Sequence, residues 1–191
     1  MRKIFLVIAL LIATSACGRY GDPLPPESYS PSEVRNLVVT ADALAVNFKW
    51  SAPKKDQRGK ELEQIDGYAV YRKQIDNFER LLDEDARFDK IGFVQDIHIL
   101  ERDKLRAEAR KVGKVGRRIE VEAEKMDFVF ADTTVKPGLN YVYKITPISQ
   151  TEVEGLVKSY IKLRFLGAAS TIVIEENPSS PSILDNFFLK Y

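Results

Sequence analysis

The stretch ALAVNFKW, residues 43–50, decides the fold class because its apolar side chains alternate with small or polar ones. Leu44, Val46, Phe48 and Trp50 share one parity, and the residues between them share the other. A period of two places successive side chains on opposite faces of a strand. The stretch therefore predicts a half-buried β-strand whose apolar face carries two aromatic rings.

The same alternation recurs in three further segments, residues 126–130, 141–145 and 159–165. Turn-forming residues separate these runs, at Ser51–Pro53, Asp66–Gly67, Lys136–Gly138 and Glu154–Gly155. Several short alternating strands with turns between them are typical of antiparallel sandwiches and barrels. We therefore expect an all-β fold.

Several motifs in this region resemble those of the fibronectin type III domain. FKWSAP at residues 48–53 matches the strand-B tryptophan and the proline after it, and IDGYAVYR at residues 65–72 is similar to strand C. Residues 130–143, which include VKPGLNYVY, match strand E, the tyrosine corner and strand F. The resemblance implies an immunoglobulin-like antiparallel β-sandwich over residues 34–175. It also implies three structural core residues, Trp50, Tyr68 and Tyr141, with the Tyr141 hydroxyl bonded to backbone upstream.

The chain is longer than this family's domain of roughly 100 residues, and the excess lies between strands C and E. We expect a partly helical insertion at about residues 95–125, after a short strand at Lys90–Val94. Residues 99–112 lack Gly and Pro and predict a helix that Gly113 ends. Residues 117–124 alternate again and predict a strand with one acidic face.

The insertion is strongly basic, since residues 102–118 carry eight basic and two acidic side chains. Arg102, Arg106 and Arg110 are spaced as a single ridge on a helix. One hypothesis is a contact for an anion or a partner formed by Arg102, Arg106, Arg110, Arg117 and Arg118. The other is a solvated insertion whose arginines meet Glu120, Glu122 and Glu124 or the acidic run 83–85.

The N-terminus has the anatomy of a secretory signal. Arg2 and Lys3 precede an apolar run at residues 4–13, and the small residues 14–16 lead up to Cys17, the only cysteine. This arrangement resembles the bacterial lipobox, in which the thiol is acylated and the cysteine becomes the mature N-terminus. It implies that residues 1–16 are a lipoprotein signal peptide and that lipid on Cys17 attaches the chain to a membrane. A soluble secreted form and an uncleaved anchor remain as alternatives.

Residues 17–33 are rich in proline, which favours an extended, semi-rigid spacer. The opening CGRYG at residues 17–21, followed by Leu24 and Pro26, resembles small Gram-negative lipoproteins. One such family is associated with the lipopolysaccharide-transport machinery of the outer membrane. By this resemblance, Gly18 after the lipidated cysteine implies sorting to the outer membrane.

The C-terminus adds two features to the sandwich. Residues 170–175 predict an added strand, and residues 176–191 read as a linker with an apolar tail. The tail places five apolar side chains on one helical face, Ile183, Leu184, Phe187, Phe188 and Tyr191. Ten residues cannot hold a helix alone in water, so we expect this tail to dock either on its own sandwich or on a partner.

Composition argues against several function classes. Removal of residues 1–16 changes the net charge of +1 to about −1, which does not suit a nucleic-acid binder. His98 is the only histidine, and no nucleophile motif, phosphate loop or metal motif accompanies it. We therefore expect no catalysis, cofactor or metal. The expectation is a lipid-anchored envelope module that binds a protein partner, or alternatively an accessory subunit of an outer-membrane assembly or lipopolysaccharide-transport complex.

Overall fold

The computed structural model describes residues 24–78, 87–149, 152–155, 157 and 159–176. The predictions for the signal peptide at residues 1–16, for Cys17, for the acidic run 83–85 and for the tail lie outside the described residues. The tail side chains concerned are Ile183, Leu184, Phe187, Phe188 and Tyr191.

The described chain forms two antiparallel sheets, and the predicted β-sandwich is confirmed. The strands are β1 (Arg35–Ala41), β2 (Val46–Ser51), β3 (Gly67–Ile75), β4 (Asp89–Gln95), β5 (Asp127–Asp132), β6 (Asn140–Ile148), β7 (Ser159–Arg164) and β8 (Thr171–Glu176). One sheet has the order β1-β2-β5 and the other the order β4-β3-β6-β7-β8. This is the sandwich that the resemblance to fibronectin type III implies, with the added strand β8 pairing with β7.

Aromatic rings fill the space between the sheets. Trp50 and Tyr68 are fully buried, and their rings meet edge to face with centroids 5.4 Å apart. Phe48 of β2 packs on Tyr143 of β6 at 4.9 Å. Such pairs contribute stability beyond the area they bury. The inward-facing side chains of the strands thus form the core.

Two features of the core depend on particular residues, a closed turn before β6 and a close approach of β4 to β5. The backbone N–H of Lys136 donates to the hydroxyl of the buried Tyr141 at 3.0 Å, which closes the corner before β6. On β4, Gly92 faces the Phe130 ring so closely that any Cβ there would collide with it. The glycine lets the edges of the two sheets approach.

A partly buried ion pair also joins the sheets. Arg72 of β3 donates from Nη1 to Asp132 of β5 at 2.7 Å, and the Tyr143 hydroxyl donates to the same carboxylate at 3.0 Å. Thr134 adds bonds to Asp132 from its backbone N–H and its hydroxyl. Burial is the largest influence on the pKa of Asp132 and would raise it. The bonds from Thr134 and Arg72 outweigh it and hold the pKa below its usual value.

The predicted strand at residues 117–124 is wrong. Gly116–Arg118 and Ala123–Met126 are single turns of 3₁₀ helix, and the backbone between them is extended but pairs with no strand of either sheet. Val121 is nevertheless buried while Glu120 and Glu122 are exposed. The alternation therefore indicates only which side of the segment packs against the protein. A β-strand also needs a neighbouring strand for its backbone hydrogen bonds, and this segment has none among the described residues.

The first apolar residue of the opening stretch also departs from expectation. Leu44 is 78% exposed because β2 begins only at Val46. Asp42 forms a turn there, in which its carboxylate accepts from the backbone N–H groups of Leu44 and Ala45. The turn rotates Leu44 away from the core.

The described part of the expected spacer, residues 24–33, packs on the domain. Pro26–Tyr29 forms a 3₁₀ turn, and Ser28, Ser30 and Pro31 are buried. The Gln57 side chain donates to the Pro31 carbonyl at 2.9 Å. The Arg58 guanidinium lies over the Tyr29 ring at 3.9 Å. Proline favours such a turn as much as it favours extension, and long-range contacts decide the outcome.

The ion pair between the sheets predicts a dependence of stability on pH. Asp132 has a depressed folded pKa, so its contribution is present above the unfolded value of about 3.9 and is lost as pH falls through the folded value. Urea unfolding of the wild type should therefore show a falling free energy below about pH 4. Asp132→Asn should be less stable at pH 7 and should lose less on acidification. Asp89→Asn, an exposed control on β4, should keep the wild-type slope, and an equal slope in Asp132→Asn would contradict the assignment.

Candidate functional site

The predicted helix of the insertion is present, and a buried carboxylate fixes its start. Helix α1 spans His98–Lys111. Asp96 accepts from the His98 backbone N–H at 2.8 Å, and its Oδ1 lies 2.7 Å from His98 Nδ1. The side chains of Asp96 and His98 are 0% and 5% exposed. Because a carboxylate only accepts, Nδ1 carries the proton in this contact.

The same carboxylate connects the helix to the core of the sandwich. The Tyr68 hydroxyl donates to Asp96 Oδ2 at 2.5 Å. Burial raises the pKa of Tyr68, and the charge and hydrogen bond of Asp96 raise it further, so the hydroxyl remains a donor. The end of α1 follows the sequence prediction, since Gly113 has φ +75° and the Lys114 N–H donates to the Ala109 carbonyl. The insertion therefore begins at a fixed point on the core.

Two arginines of the predicted ridge face the sandwich and share a carboxylate. Arg102 Nη1 and Arg106 Nη2 lie 3.2 and 2.7 Å from Glu61 Oε1. Arg102 also donates to the Leu62 carbonyl at 2.7 Å. The side chains of Arg102 and Arg106 are 13% and 16% exposed. The hydrogen bond from Arg106 is the largest influence on the pKa of Glu61 and lowers it. Both earlier hypotheses for these arginines are therefore incomplete, because neither includes Glu61.

The other predicted basic residues are placed differently. Arg110 is exposed, and Arg117 is exposed where the chain turns back toward the helix. The side chain of Arg118 lies outside the described residues. No arginine in the described ranges pairs with Glu120, Glu122 or Glu124, and the ion pair made by this part of the chain is Lys125 with Glu101 at 3.4 Å. The fold thus separates the predicted ridge, because Arg102 and Arg106 face the sandwich and Arg110 is exposed.

A cleft of about 330 Å³ separates the loop after β2 from the insertion. Lys54, Lys55 and Glu61 line it from the loop, and Arg102 and Arg106 line it from α1. His98 and Ile99 at the start of α1 also line it, and residues after the helix complete the wall, namely Arg117, Glu120, Val121 and Met126. The cleft therefore combines cations from three separate segments of the chain.

Several exposed apolar side chains lie on the insertion among its charged ones. Leu100 is 59% exposed, Val112 70% and Val115 63%. Ile97 and Leu105 are also exposed, so five of the fourteen exposed large hydrophobic residues in the described ranges fall within residues 97–115. Single exposed apolar side chains are common on proteins, whereas here five fall within nineteen consecutive residues.

Sequence reasoning missed four residues that form or position this site, Glu61, Lys54, Lys55 and Asp96. Glu61 lies in the charged run KKDQRGKELEQ, which reads as solvated loop. Lys54 and Lys55 belong to the same run. A local signal exists only for Asp96, since an acidic residue just before a helix is a capping candidate.

Within the ranges that the structure describes, no helix is long and apolar enough to cross a membrane. The same ranges contain no group of three or more His, Cys, Asp or Glu side chains arranged to hold a metal ion.

The link from the core to α1 predicts the effect of Asp96→Ala. The change leaves the Tyr68 hydroxyl and the His98 N–H buried without their acceptor, which should lower the free energy of unfolding by roughly 2–4 kcal/mol. Hydrogen exchange of α1 amides should accelerate more than that of β6 amides. Asp89→Ala is the exposed control and should change neither quantity. Uniform acceleration across the sandwich would contradict a specific anchor for the helix.

Comparisons with known proteins give structural similarity alone. No protein-family model and no curated protein matches the chain. Among solved structures it is similar to the third fibronectin III domain of human KIAA0343 protein, with 11% identity, a TM-score of 0.41, and coverage of 86% of this chain and all of that one (100%). A structure titled "Myokine structure" gives 13% identity, a TM-score of 0.36, and coverage of 72% and 99%.

The twitchin kinase region from C. elegans is similar at 8% identity and a TM-score of 0.43, over 72% of this chain and 17% of that structure. The chain therefore spans only a small part of the twitchin structure. The strand order and pairing described above define the fold as an antiparallel sandwich of the fibronectin type III kind.

Proposed function

We propose that the chain is a lipid-anchored binding and scaffold module of a Gram-negative cell envelope. It acts through contacts with an envelope protein and without catalysis. Lipid on Cys17 holds it at the outer membrane, and the sandwich presents the insertion to the partner. The lipobox-like residues 14–17 support the anchor.

The observation that carries the binding role is the set of exposed apolar side chains on and beside a helix whose start is bonded to the core. Leu100 precedes Arg102 by two residues, and two residues rotate an α-helix by about 200°. The side of α1 that holds Leu100 is therefore turned away from the side that binds Glu61. A rigid helix with exposed apolar side chains costs little ordering entropy on binding.

A more specific alternative is an accessory subunit of an outer-membrane assembly or lipopolysaccharide-transport complex. The CGRYG opening at residues 17–21, with Leu24 and Pro26, supports it by resemblance. The two versions share the anchor and differ in the partner. Identification of the bound protein decides between them.

The anchor predicts that Cys17→Ser prevents lipidation. Cells that express the full chain should incorporate radiolabelled palmitate into the wild type and not into the variant, because Cys17 supplies the only thiol. The variant should also leave the outer-membrane fraction. Ser15→Ala is the control and should keep the label, while labelled Cys17→Ser would contradict the anchor.

The contact surface predicts where cross-links form in the cell. A photoreactive side chain at position 100 or 112 should capture one envelope protein in a defined band, whereas positions 38 and 129 on β1 and β5 should not. Val38 and Val129 are comparably exposed, at 54% and 69%. Capture of a transport or barrel subunit supports the accessory role. Equal capture from all four positions would contradict the proposed surface.

The matching substitutions are Leu100→Gln with Val112→Gln. Burial of a Leu or Val side chain is worth about 1.5–3 kcal/mol, so co-purification of the partner should weaken at least about tenfold. Exposed substitutions of this kind change stability by about 0.5 kcal/mol or less. Val38→Gln with Val129→Gln is the control pair and should leave co-purification unchanged.

A further inference from the structure

The cleft between the loop after β2 and the insertion carries an excess of positive charge. Five cationic side chains line it, Lys54, Lys55, Arg102, Arg106 and Arg117, together with two carboxylates, Glu61 and Glu120. Glu61 serves two guanidinium groups at once. A concave site lined mainly by one sign of charge raises the local concentration of ions of the opposite sign.

The two arginines of the cleft are held in place before any ligand arrives. Arg102 is fixed by Glu61, by Asp103 and by the Leu62 carbonyl. Arg106 is fixed by Glu61 and by the Ile119 carbonyl at 3.3 Å. A guanidinium has five N–H donors, so each group keeps donors beyond these bonds. Preorganised donors lose little rotamer entropy when they bind an oxyanion.

The rim of the cleft supplies three exposed cations. Lys54, Lys55 and Arg117 are exposed, and no acidic side chain pairs with them in the described part of the chain. Lys54 and Lys55 extend from the loop, and Arg117 extends from the turn after α1.

Three apolar side chains also line the cleft and are called its floor here. The volume of the cleft is larger than a single small anion needs. Ile99, Val121 and Met126 contribute to the lining. The volume of about 330 Å³ lies at the lower end of the range of about 300–1,000 Å³ typical of small-molecule sites. An anionic group with a short organic portion fits this combination better than an inorganic ion alone.

We propose that this cleft binds the phosphate group of a phosphate monoester, with the alcohol portion against Ile99, Val121 and Met126. A phosphate monoester carries about −1.5 to −2 charge at pH 7, which matches the cationic excess, and its oxygens suit guanidinium forks. The source is either a soluble phosphate ester or the headgroup of a phosphatidic-acid-type lipid. The proposal concerns the cleft alone and does not depend on lipidation of Cys17 or on the exposed apolar side chains of the insertion.

The experiment uses the full chain and three probes. Glycerol 3-phosphate and inorganic phosphate are titrated by calorimetry in low salt, and vesicles of phosphatidylcholine with or without phosphatidic acid are tested by co-sedimentation. The difference between the two vesicle types removes any contribution from the apolar N-terminal run. Glycerol 3-phosphate should bind more tightly than inorganic phosphate because the floor contacts its glycerol.

Two triple variants with the same loss of charge locate the site. Lys54→Gln, Lys55→Gln and Arg117→Gln together remove the rim of the cleft. The control changes Arg110→Gln, Lys111→Gln and Lys114→Gln, which are exposed on the same insertion and do not line the cleft. All six residues are exposed, so both variants should unfold at the wild-type urea midpoint.

The rim variant should bind glycerol 3-phosphate at least tenfold more weakly, and the control should bind within about twofold of the wild type. Binding only to vesicles with phosphatidic acid, lost in the rim variant alone, would support the proposal and identify the lipid as the source. Equal weakening in both variants would overturn it, because general surface charge would then explain the binding. Failure of all phosphate probes to bind would also overturn it.

Discussion

Tyr68 joins the two parts of this structure, because its ring belongs to the sandwich and its hydroxyl belongs to the insertion. The ring packs against Trp50 at 5.4 Å and Phe128 at 4.8 Å, and the hydroxyl donates to Asp96. Asp96 in turn holds the first residue of α1. A helix that starts on a buried carboxylate cannot move independently of the core, since either donor would lose its acceptor. The position of the insertion therefore follows from the packing of the sandwich.

That constraint gives α1 two different sides. The side that faces the loop after β2 orders Arg102 and Arg106 against Glu61 and forms one wall of the cleft. The other side leaves Leu100 exposed. Charged groups steer and orient a partner, whereas apolar groups supply most of the affinity once water is excluded. The helix thus carries its paired arginines on one side and the exposed Leu100 on another.

The fold could be predicted because its signals are local. Each aromatic strand shows its own alternation, and the turn at Gly138 comes from residues adjacent to the strand that follows it. The same rule failed at two places. Residues 117–124 alternate but have no neighbouring strand to pair with. At Leu44 a turn precedes the strand and exposes the side chain. Periodicity reports which side of a segment is buried, and pairing depends on what lies beside it.

The candidate site could be predicted only in part because its partners are distant in the sequence. Arg102 and Glu61 are forty-one positions apart, and neither residue type indicates that the other is near. The loop that carries Glu61 is itself held by buried Asp56, which binds Arg58 and the Lys60 N–H. Its charged sequence reads as solvated, yet it forms a wall of the cleft. An excess of positive charge in the sequence therefore identifies a segment that contributes to the cleft. The carboxylates that pair with these charges determine which cations remain available to a ligand. Among the residues that line the cleft, the exposed cations are Lys54, Lys55 and Arg117, and only Arg117 belongs to the basic run of residues 102–118.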